Sequence, residues 1–121
     1  MAAVTVKELK INAVIGTLPH ERVNRQQIIV DVSFEYDAVK AAETDDLSCS
    51  VDYSAVEKAI VDTVEKSSFY LLEALARQIA LTVLSFAGVS KVEITIRKPA
   101  ASAFGALISY TEEFFAGTEK K

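Results

Sequence analysis

The chain has 121 residues, of which 50% are apolar and 25% are charged, and its formal net charge is -4. This length and composition predict one folded globular domain rather than a disordered or low-complexity chain. The acidic balance disfavours nucleic acid and anionic membrane surfaces as partners, because binding to phosphate groups needs clustered Lys and Arg.

The first two predicted elements are strands. Residues 1–7 lack the basic region followed by an apolar region that marks a secretory signal. Apolar residues then recur at every second position from Leu9 to Ile15, which is the period of a half-buried strand. Gly16 ends this strand, and Thr17–Asn24 predicts a polar connection. In the second strand, apolar residues occupy one face from Ile28 to Tyr36.

A long loop is predicted to follow the second strand. The periodicity fades between Asp37 and Asp52, with a helical turn expected around Val39–Ala42. Long ordered loops in small domains are often functional. This loop carries Cys49, the single cysteine, which cannot form an internal disulfide. The simplest expectation is a reducing, cytoplasmic compartment.

Two helices are predicted next. Asp52 is placed to cap the first, although Ser54 followed by Glu57 offers a competing capping box. The apolar stripe of this helix comprises Val56, Ile60 and Val64. The second helix has apolar residues at helical spacing from Leu72 to Phe86, and Gly88 lies just past its expected end. No apolar stretch of the sequence approaches the length of a membrane span.

Two further strands complete the predicted domain. Apolar residues alternate from Val92 to Ile96, and Pro99 closes this third strand. Gly105–Phe115 predicts the fourth strand, and residues 116–121 predict a C-terminal tail. The order strand-strand-helix-helix-strand-strand indicates an α+β domain, a four-stranded antiparallel sheet with both helices on one face. Exposed sheet edges must be covered or paired with another subunit, so we expect oligomerisation.

Residue counts exclude several kinds of active site. The single histidine, His20, rules out a three-histidine zinc site, and Cys49 cannot complete a cysteine-rich one. A Cys-His pair remains possible by count, but nothing in the sequence places these two residues together. Neither a dinucleotide-binding fingerprint, a phosphate loop nor a nucleophile elbow is present. Any catalysis is therefore expected to use carboxylates, lysines and tyrosines, with His20 more simply explained as a solvated loop residue.

Three residues break the local pattern. Lys98 continues the core-facing parity of the third strand, where an ammonium resists burial unless it is paired or its pKa falls. The structural alternative is a lysine that extends to solvent. Glu73 lies in an apolar run at the start of the second helix, where it is either an ordinary first-turn glutamate or an acceptor of two parallel hydrogen bonds. Tyr53 opens the first helix, and its ring could simply belong to the core.

These residues fall within an ordered set of short motifs that spans the chain. The motifs are Ile15-Gly16, His20-Glu21-Arg22, Arg25-Gln26, Asp45-Asp46-Leu47, Val51-Asp52-Tyr53, Leu71–Ala76 and Arg97-Lys98-Pro99. In this order and spacing, from about Val4 to Phe115, they closely resemble the dihydroneopterin aldolase family. The resemblance implies one domain over residues 1–121 with its core at about 4–115. It also implies a tunnelling-fold subunit that assembles into two stacked tetrameric rings, a homo-octamer with active sites between neighbouring subunits.

The activity implied by the resemblance is that of a lyase of folate biosynthesis that needs neither metal nor cofactor. Such an enzyme cleaves 7,8-dihydroneopterin, a reduced pterin, into 6-hydroxymethyl-7,8-dihydropterin and glycolaldehyde. The ring imine of the substrate accepts the electrons of the broken bond as an enamine. The protein therefore has to hold geometry and move protons, and it requires neither a Schiff-base lysine nor zinc.

Carried over motif by motif, the resemblance assigns three residues to substrate binding. Glu73 is expected to anchor the pterin, because its two oxygens match the donor pair on a guanidine-like edge. Leu72 is expected to line the pocket beside it. Val51, from the adjacent subunit, is expected to pack on the pterin ring.

The resemblance assigns three further residues to catalysis. Lys98 is expected to act in proton transfer through a bound water, with its pKa lowered by a partly apolar site. Tyr53, from the adjacent subunit, places its hydroxyl near the reacting side chain. Glu21 is expected near the sugar-like tail of the substrate, which it positions or polarises.

The chain departs from the family pattern in two segments near its end. Family members often carry a glycine-containing turn after Lys98-Pro99, whereas this chain has Ala100–Ala103. The final strand has Leu107–Ser109 in place of an expected glycine-valine pair. These differences affect the product end of the pocket and leave the substrate preference open.

Two alternative functions are retained. The first is a dihydroneopterin triphosphate 2'-epimerase, a relative to which Asn24–Gln26 is similar. It ranks second because a triphosphate favours clustered basic residues, and the obvious candidates are only Arg22, Arg25, Arg97 and Lys98. The alternative from another class is a non-catalytic oligomeric domain that binds a pterin, a purine or a protein partner.

Overall fold

A computed structural model describes residues 1–117, so residues 118–121 of the predicted C-terminal tail lie outside the described residues. The elements in chain order are β1 (Ala2–Ala13), α1 (Pro19–Val23), β2 (Gln26–Tyr36), α2 (Val39–Thr44), a 3-10 turn (Leu47–Cys49), α3 (Tyr53–Glu65), α4 (Leu72–Leu84), β3 (Val89–Lys98) and β4 (Ile108–Phe115). Within these residues, no helix is long and apolar enough to cross a membrane.

The four strands form one antiparallel sheet in the order β1-β2-β3-β4, and α3 and α4 pack on one face of it. The predicted α+β architecture is therefore confirmed. Between sheet and helices lies a continuous apolar core, in which the largest fully buried side chains are Phe34, Ile15, Ile28, Ile60, Leu75, Ile79, Ile94 and Ile96. The strands β1 and β4 form the two edges of the sheet.

The first strand is longer than its alternation pattern predicts. It begins at Ala2 and ends at Ala13, and its pairing with β2 shifts between Val6 and Leu9. Glu8 lies in this bulge with a φ of 58°. The extra residue lets apolar residues at even positions before the bulge and at odd positions after it face the same side of the sheet. A search for one strict period of two along the whole strand therefore misses its first half.

Two predicted boundaries are wrong. Thr17–Asn24 is not only a polar connection, because it contains α1, with Pro19 at the first position, where its fixed φ suits a helix. The fourth strand begins at Ile108 rather than at Gly105, because Gly105 has a φ of 80°, which no extended strand adopts.

The helix boundaries agree more closely with the sequence. The helical turn in the long loop is confirmed as α2. Asp52 caps α3 by accepting hydrogen bonds from the backbone N–H groups of Ser54 and Ala55, so it prevails over the competing capping box. The helix α4 ends at Leu84, and Gly88, with a φ of 92°, lies in the turn that leads into β3.

Candidate active site

A largely buried ion pair lies where β3 ends and α1 begins. The Lys98 ammonium is 2.7 Å from Oε2 of Glu21, and the two side chains are only 12% and 11% exposed. The last position of β3 directs Lys98 inward, as its parity predicts, and α1 places Glu21 opposite. Of the two possibilities left open by the sequence, Lys98 is therefore paired rather than extended into solvent.

The Glu21 carboxylate is held by two further donors. Its Oε1 accepts a hydrogen bond from the backbone N–H of Leu18 at 3.2 Å, and its Oε2 accepts one from Nε2 of Gln26 at 3.1 Å. Gln26 is itself fixed, since its Nε2 also donates to the carbonyl of Ile15 at 2.8 Å. The carboxylate therefore has donors on both oxygens and a fixed orientation before any ligand binds.

Gly16 makes room for this carboxylate. Its φ of 126° belongs to a region that glycine alone adopts readily, and a Cβ at this position would overlap the Glu21 carboxylate. The residue is anchored by its own N–H, which donates to the carbonyl of Phe69 at 3.2 Å. The close approach of the Glu21 carboxylate thus explains why the Ile15-Gly16 motif has a glycine at this position.

The charge state of Glu21 follows from these contacts. The hydrogen bond from Lys98 is the largest cause that lowers its pKa to about 2. Burial opposes the shift, whereas the bonds from Gln26 and Leu18 reinforce it. Glu21 is thus a carboxylate throughout the neutral range, poised to orient a neighbouring ammonium and hydroxyl groups rather than to donate a proton.

A cavity of about 220 Å³ opens beside this pair. Its walls are formed by His20, Glu21, Asn24, Arg25, Gln26 and Ala100. His20 is exposed at this cavity, and Ala100 belongs to the segment that departs from the family pattern. The cavity brings polar side chains of α1 and the start of β2 together with the loop after β3.

The other predicted binding residues lie at the start of α4. Glu73 is exposed in the first turn, and Leu72 is half-buried beside it. The residue that precedes the helix, Leu71, has no side-chain oxygen to cap it, and no side-chain cap is present. The free N–H groups and the positive end of the helix dipole therefore favour the negative charge of Glu73.

Val51 and Tyr53 are placed differently. Val51 is 6% exposed and packs in the core of its own chain, whereas Tyr53 is 63% exposed at the start of α3. Among residues 1–117, no hydrogen bond joins Tyr53 to Glu21, Glu73 or Lys98. The structure of one chain thus brings Glu21 and Lys98 together and leaves the Tyr53 ring exposed, away from the core.

Sequence reasoning missed a second polar pair near α4. The hydroxyl of Tyr110 donates to Oε1 of Glu112 at 2.5 Å, both on β4. This bond, with burial and the nearby charges of Glu112 and Glu73, raises the pKa of Tyr110 to about 12. The available signal was Glu112, a carboxylate at the core-facing parity of its strand.

No metal site is formed by the described part of the chain. Within residues 1–117, no group of three or more His, Cys, Asp or Glu side chains lies close enough to hold a metal ion.

Comparison with known proteins gives consistent matches. A model of the dihydroneopterin aldolase family (FolB) matches residues 4–111. A dihydroneopterin aldolase of Streptomyces coelicolor is 37% identical over 101 residues, which cover 84% of this chain and 85% of that protein. A dihydroneopterin triphosphate 2'-epimerase of Pseudomonas aeruginosa is 32% identical over 111 residues, covering 92% and 90%. The structure of Escherichia coli dihydroneopterin aldolase in complex with neopterin superposes with a TM-score of 0.86 at 29% identity, covering 94% of this chain and 99% of that one.

Proposed function

The chain belongs to the dihydroneopterin aldolase family, and we propose that it cleaves 7,8-dihydroneopterin into 6-hydroxymethyl-7,8-dihydropterin and glycolaldehyde as a lyase of folate biosynthesis. The observation that carries this proposal is the largely buried Glu21–Lys98 pair, which is already formed beside a cavity. The E. coli relative binds neopterin, a pterin with the same side chain. A cytoplasmic location, expected from the single cysteine, is part of the same proposal.

The proposed chemistry needs only proton movement. The hydroxyl of the second side-chain carbon loses its proton, the bond between the first and second side-chain carbons breaks, and glycolaldehyde leaves. The electron pair passes into the ring imine and forms an enamine, whose carbon is then protonated. Lys98 serves this transfer through a bound water, and Glu21 holds the ammonium and orients the side-chain hydroxyls. No electrons are gained or lost overall, so the scheme needs no redox cofactor.

Substrate binding is proposed to use both ends of the site. Glu73 accepts two hydrogen bonds from the amino and ring N–H groups of the pterin, and the adjacent Leu72 lines the pocket. Tyr53 of a neighbouring subunit extends its exposed ring toward the reacting side chain. Val51, from the same neighbouring subunit as Tyr53, packs on the pterin ring.

The epimerase remains the second candidate, since relatives of both activities have similar identity. The contacts that the basic residues already make within the chain favour the unphosphorylated substrate. Arg22 and Arg25 donate to backbone carbonyls, whereas Arg97 and Lys98 are paired with Asp31 and Glu21. A triphosphate would need cations that are free to meet it.

The proposal is tested by incubating the purified protein with 7,8-dihydroneopterin in the presence of a chelator. We expect 6-hydroxymethyl-7,8-dihydropterin by chromatography, and more than a hundredfold loss of rate in Lys98→Ala. Parallel incubation with the triphosphate distinguishes the alternatives, because an epimerase converts it to the 2'-epimer without releasing glycolaldehyde. If the protein binds pterin but converts neither substrate, the non-catalytic binding domain is the alternative that remains.

Assembly into an octamer of two tetrameric rings is also proposed. The strands β1 and β4 lie at the two edges of the sheet, where strands of neighbouring chains can be added. A shared site would also explain why Tyr53 is exposed. Native mass spectrometry would give eight subunits, and a monomer with full activity would contradict this assembly.

A further inference from the structure

Arg22 binds three backbone carbonyls with one guanidinium group. Its Nη1 donates to the carbonyls of Gly16 at 3.0 Å and Phe69 at 3.1 Å. Its Nη2 donates to the carbonyl of Ser68 at 2.6 Å. The chain thus places a half-buried cation between the loop after β1 and the loop before α4, segments separated by more than 40 residues in sequence.

Two further contacts reinforce this junction. The guanidinium carbon lies 3.8 Å from the ring centroid of Tyr70, so the group stacks on an aromatic face. The backbone N–H of Gly16 donates to the carbonyl of Phe69 at 3.2 Å. Together with Arg22, this bond fixes the two loops at several points, which limits both translation and rotation between them.

The two loops lead directly to the two ends of the proposed site. Glu21, the partner of Lys98, immediately precedes Arg22 on α1. On the other side, the segment that ends at Tyr70 continues into Leu72 and Glu73 at the start of α4. The junction therefore joins the segment that carries Glu21 to the segment that leads into Glu73 through direct hydrogen bonds.

We propose that Arg22 is a positioning residue that sets the spacing between the Glu21–Lys98 pair and the Glu73 anchor. This inference rests on the proposed function, because it assumes that one ligand spans both ends of the site. Arg22 contacts neither end and acts through Gly16 and the loop that precedes α4. The geometry suits arginine, whose planar group offers five donors in a fixed fork, and not lysine, whose ammonium is a point charge.

A change in spacing would affect binding and chemistry together. Misplacement of reacting groups by about 1 Å can lower a rate by about a hundredfold. In Arg22→Ala we therefore expect KM to rise, because Glu73 is no longer aligned with the edge of the pterin. We also expect kcat to fall, because the substrate hydroxyl is no longer placed for proton transfer through Lys98 and its bound water. The expected loss in kcat/KM is between about tenfold and a hundredfold.

A purely stabilising role predicts a different pattern. Val83→Ala is the matched control, since Val83 is fully buried near the far end of α4, about 16 Å along the helix from Leu72. It lowers the melting temperature without touching the junction. We compare kcat, KM and melting temperature of the wild type, Arg22→Ala, Arg22→Lys and Val83→Ala, each with and without methylguanidinium.

The inference expects methylguanidinium to restore part of kcat/KM in Arg22→Ala and none in Val83→Ala, with Arg22→Lys remaining impaired. It is overturned if Arg22→Ala keeps wild-type kcat and KM, or if Val83→Ala loses as much kcat/KM. Hydrogen exchange at the Gly16 amide is the readout that does not depend on turnover. A wild type that does not cleave the substrate would defeat the proposed function, and faster Gly16 exchange in Arg22→Ala would then still establish the junction.

Discussion

At the scale of single residues, Gly16 decides how closely the backbone approaches the Glu21 carboxylate. A methyl group at this position meets the carboxylate and also suffers from the φ of 126°. We expect Gly16→Ala to lower the free energy of unfolding by about 1–3 kcal/mol and kcat/KM by more than about tenfold. Chemical unfolding and steady-state kinetics measure the two effects.

The matched control for Gly16 is Gly88→Ala. Gly88 has a φ of 92° but no neighbour within 4 Å of an added Cβ. It therefore carries the backbone strain without the steric overlap, and its substitution should reduce stability while leaving kcat/KM unchanged. Unchanged kcat/KM in Gly16→Ala as well would show that the close approach has no role in activity.

Glu21 also makes the stability of the fold depend on pH. The hydrogen bond from Lys98 is the first of the contacts that lower its pKa from 4.5 to about 2 in the folded chain. The folded state therefore binds fewer protons than the unfolded state between these values. Its stabilising effect is fully present above pH 4.5 and is lost as the pH falls toward about 2.

In Glu21→Gln this pH dependence should be shallower, because the amide does not titrate. Urea unfolding at a series of pH values between about 5 and about 2 measures the slope of the free energy of unfolding. Glu57→Gln, a change of an exposed glutamate on α3, serves as the control and should keep the wild-type slope. An identical slope in Glu21→Gln would contradict the lowered pKa.

At the scale of the elements, the bulge in β1 places a residue with a side chain in a left-handed conformation. Glu8 has a φ of 58°, and its backbone N–H donates to Oδ1 of Asp31 at 2.7 Å. Glu8→Gly keeps this bond and relieves the strain, so we expect a gain of about 0.5–1 kcal/mol in the free energy of unfolding.

The control on the same strand is Lys10→Gly. Lys10 is exposed and pairs regularly with Ile29, so glycine there should cost about 0.5–1 kcal/mol through lost backbone entropy. Opposite signs for the two substitutions in thermal unfolding would support the assignment of the bulge. A loss of stability in both would mean that the conformation of Glu8 is not strained.

The elements differ in how far the sequence predicts them. The second strand keeps a period of two, and the third keeps it from Val92 onward, after a register shift beside Val89. Asp52 provides a local cap. These features can be predicted from neighbouring residues in the chain. The five-residue α1 has no room for a helical period, and only Pro19 marks its start. The first half of β1 escapes because the bulge reverses the parity of its apolar positions.

The candidate site is predictable only in part, for a similar reason. Parity alone marks Lys98 as a lysine directed inward, but its partner on α1 is far away in sequence and was expected at the site only through the family resemblance. The contacts of Arg22 with backbone carbonyls cannot be predicted from the sequence, since every residue has a backbone carbonyl. The Tyr110–Glu112 bond likewise depends on rotamers that the sequence does not specify.

At the scale of the whole molecule, the proposed site is divided between subunits, and this can be tested by complementation. Tyr53→Phe and Lys98→Ala should each be inactive as pure oligomers. When the two variants are unfolded and refolded together, about a quarter of the sites receive an intact Tyr53 from one chain and an intact Lys98 from its neighbour. We expect activity to return in the mixture to about that fraction.

The control for complementation is a mixture of the same two oligomers without unfolding. Subunits that do not exchange should give no activity in this sample. If the refolded mixture is also inactive although it has the wild-type mass, both residues would act within one chain. Either result would decide between a site within one subunit and a site between two. Full activity of pure Tyr53→Phe would mean that Tyr53 has no role.

The bulge in β1 has one more consequence, which concerns chain length. Wherever else a residue is removed from a regular strand, every later side chain changes to the opposite face of the sheet. At the bulge, however, two residues, Lys7 and Glu8, occupy the interval between the paired positions Val6 and Leu9. Deletion of one of them restores regular pairing and keeps Val4 and Ile11 on the core side. The edge strand β1 can therefore lose a residue there, and the same side chains still face the core and the solvent.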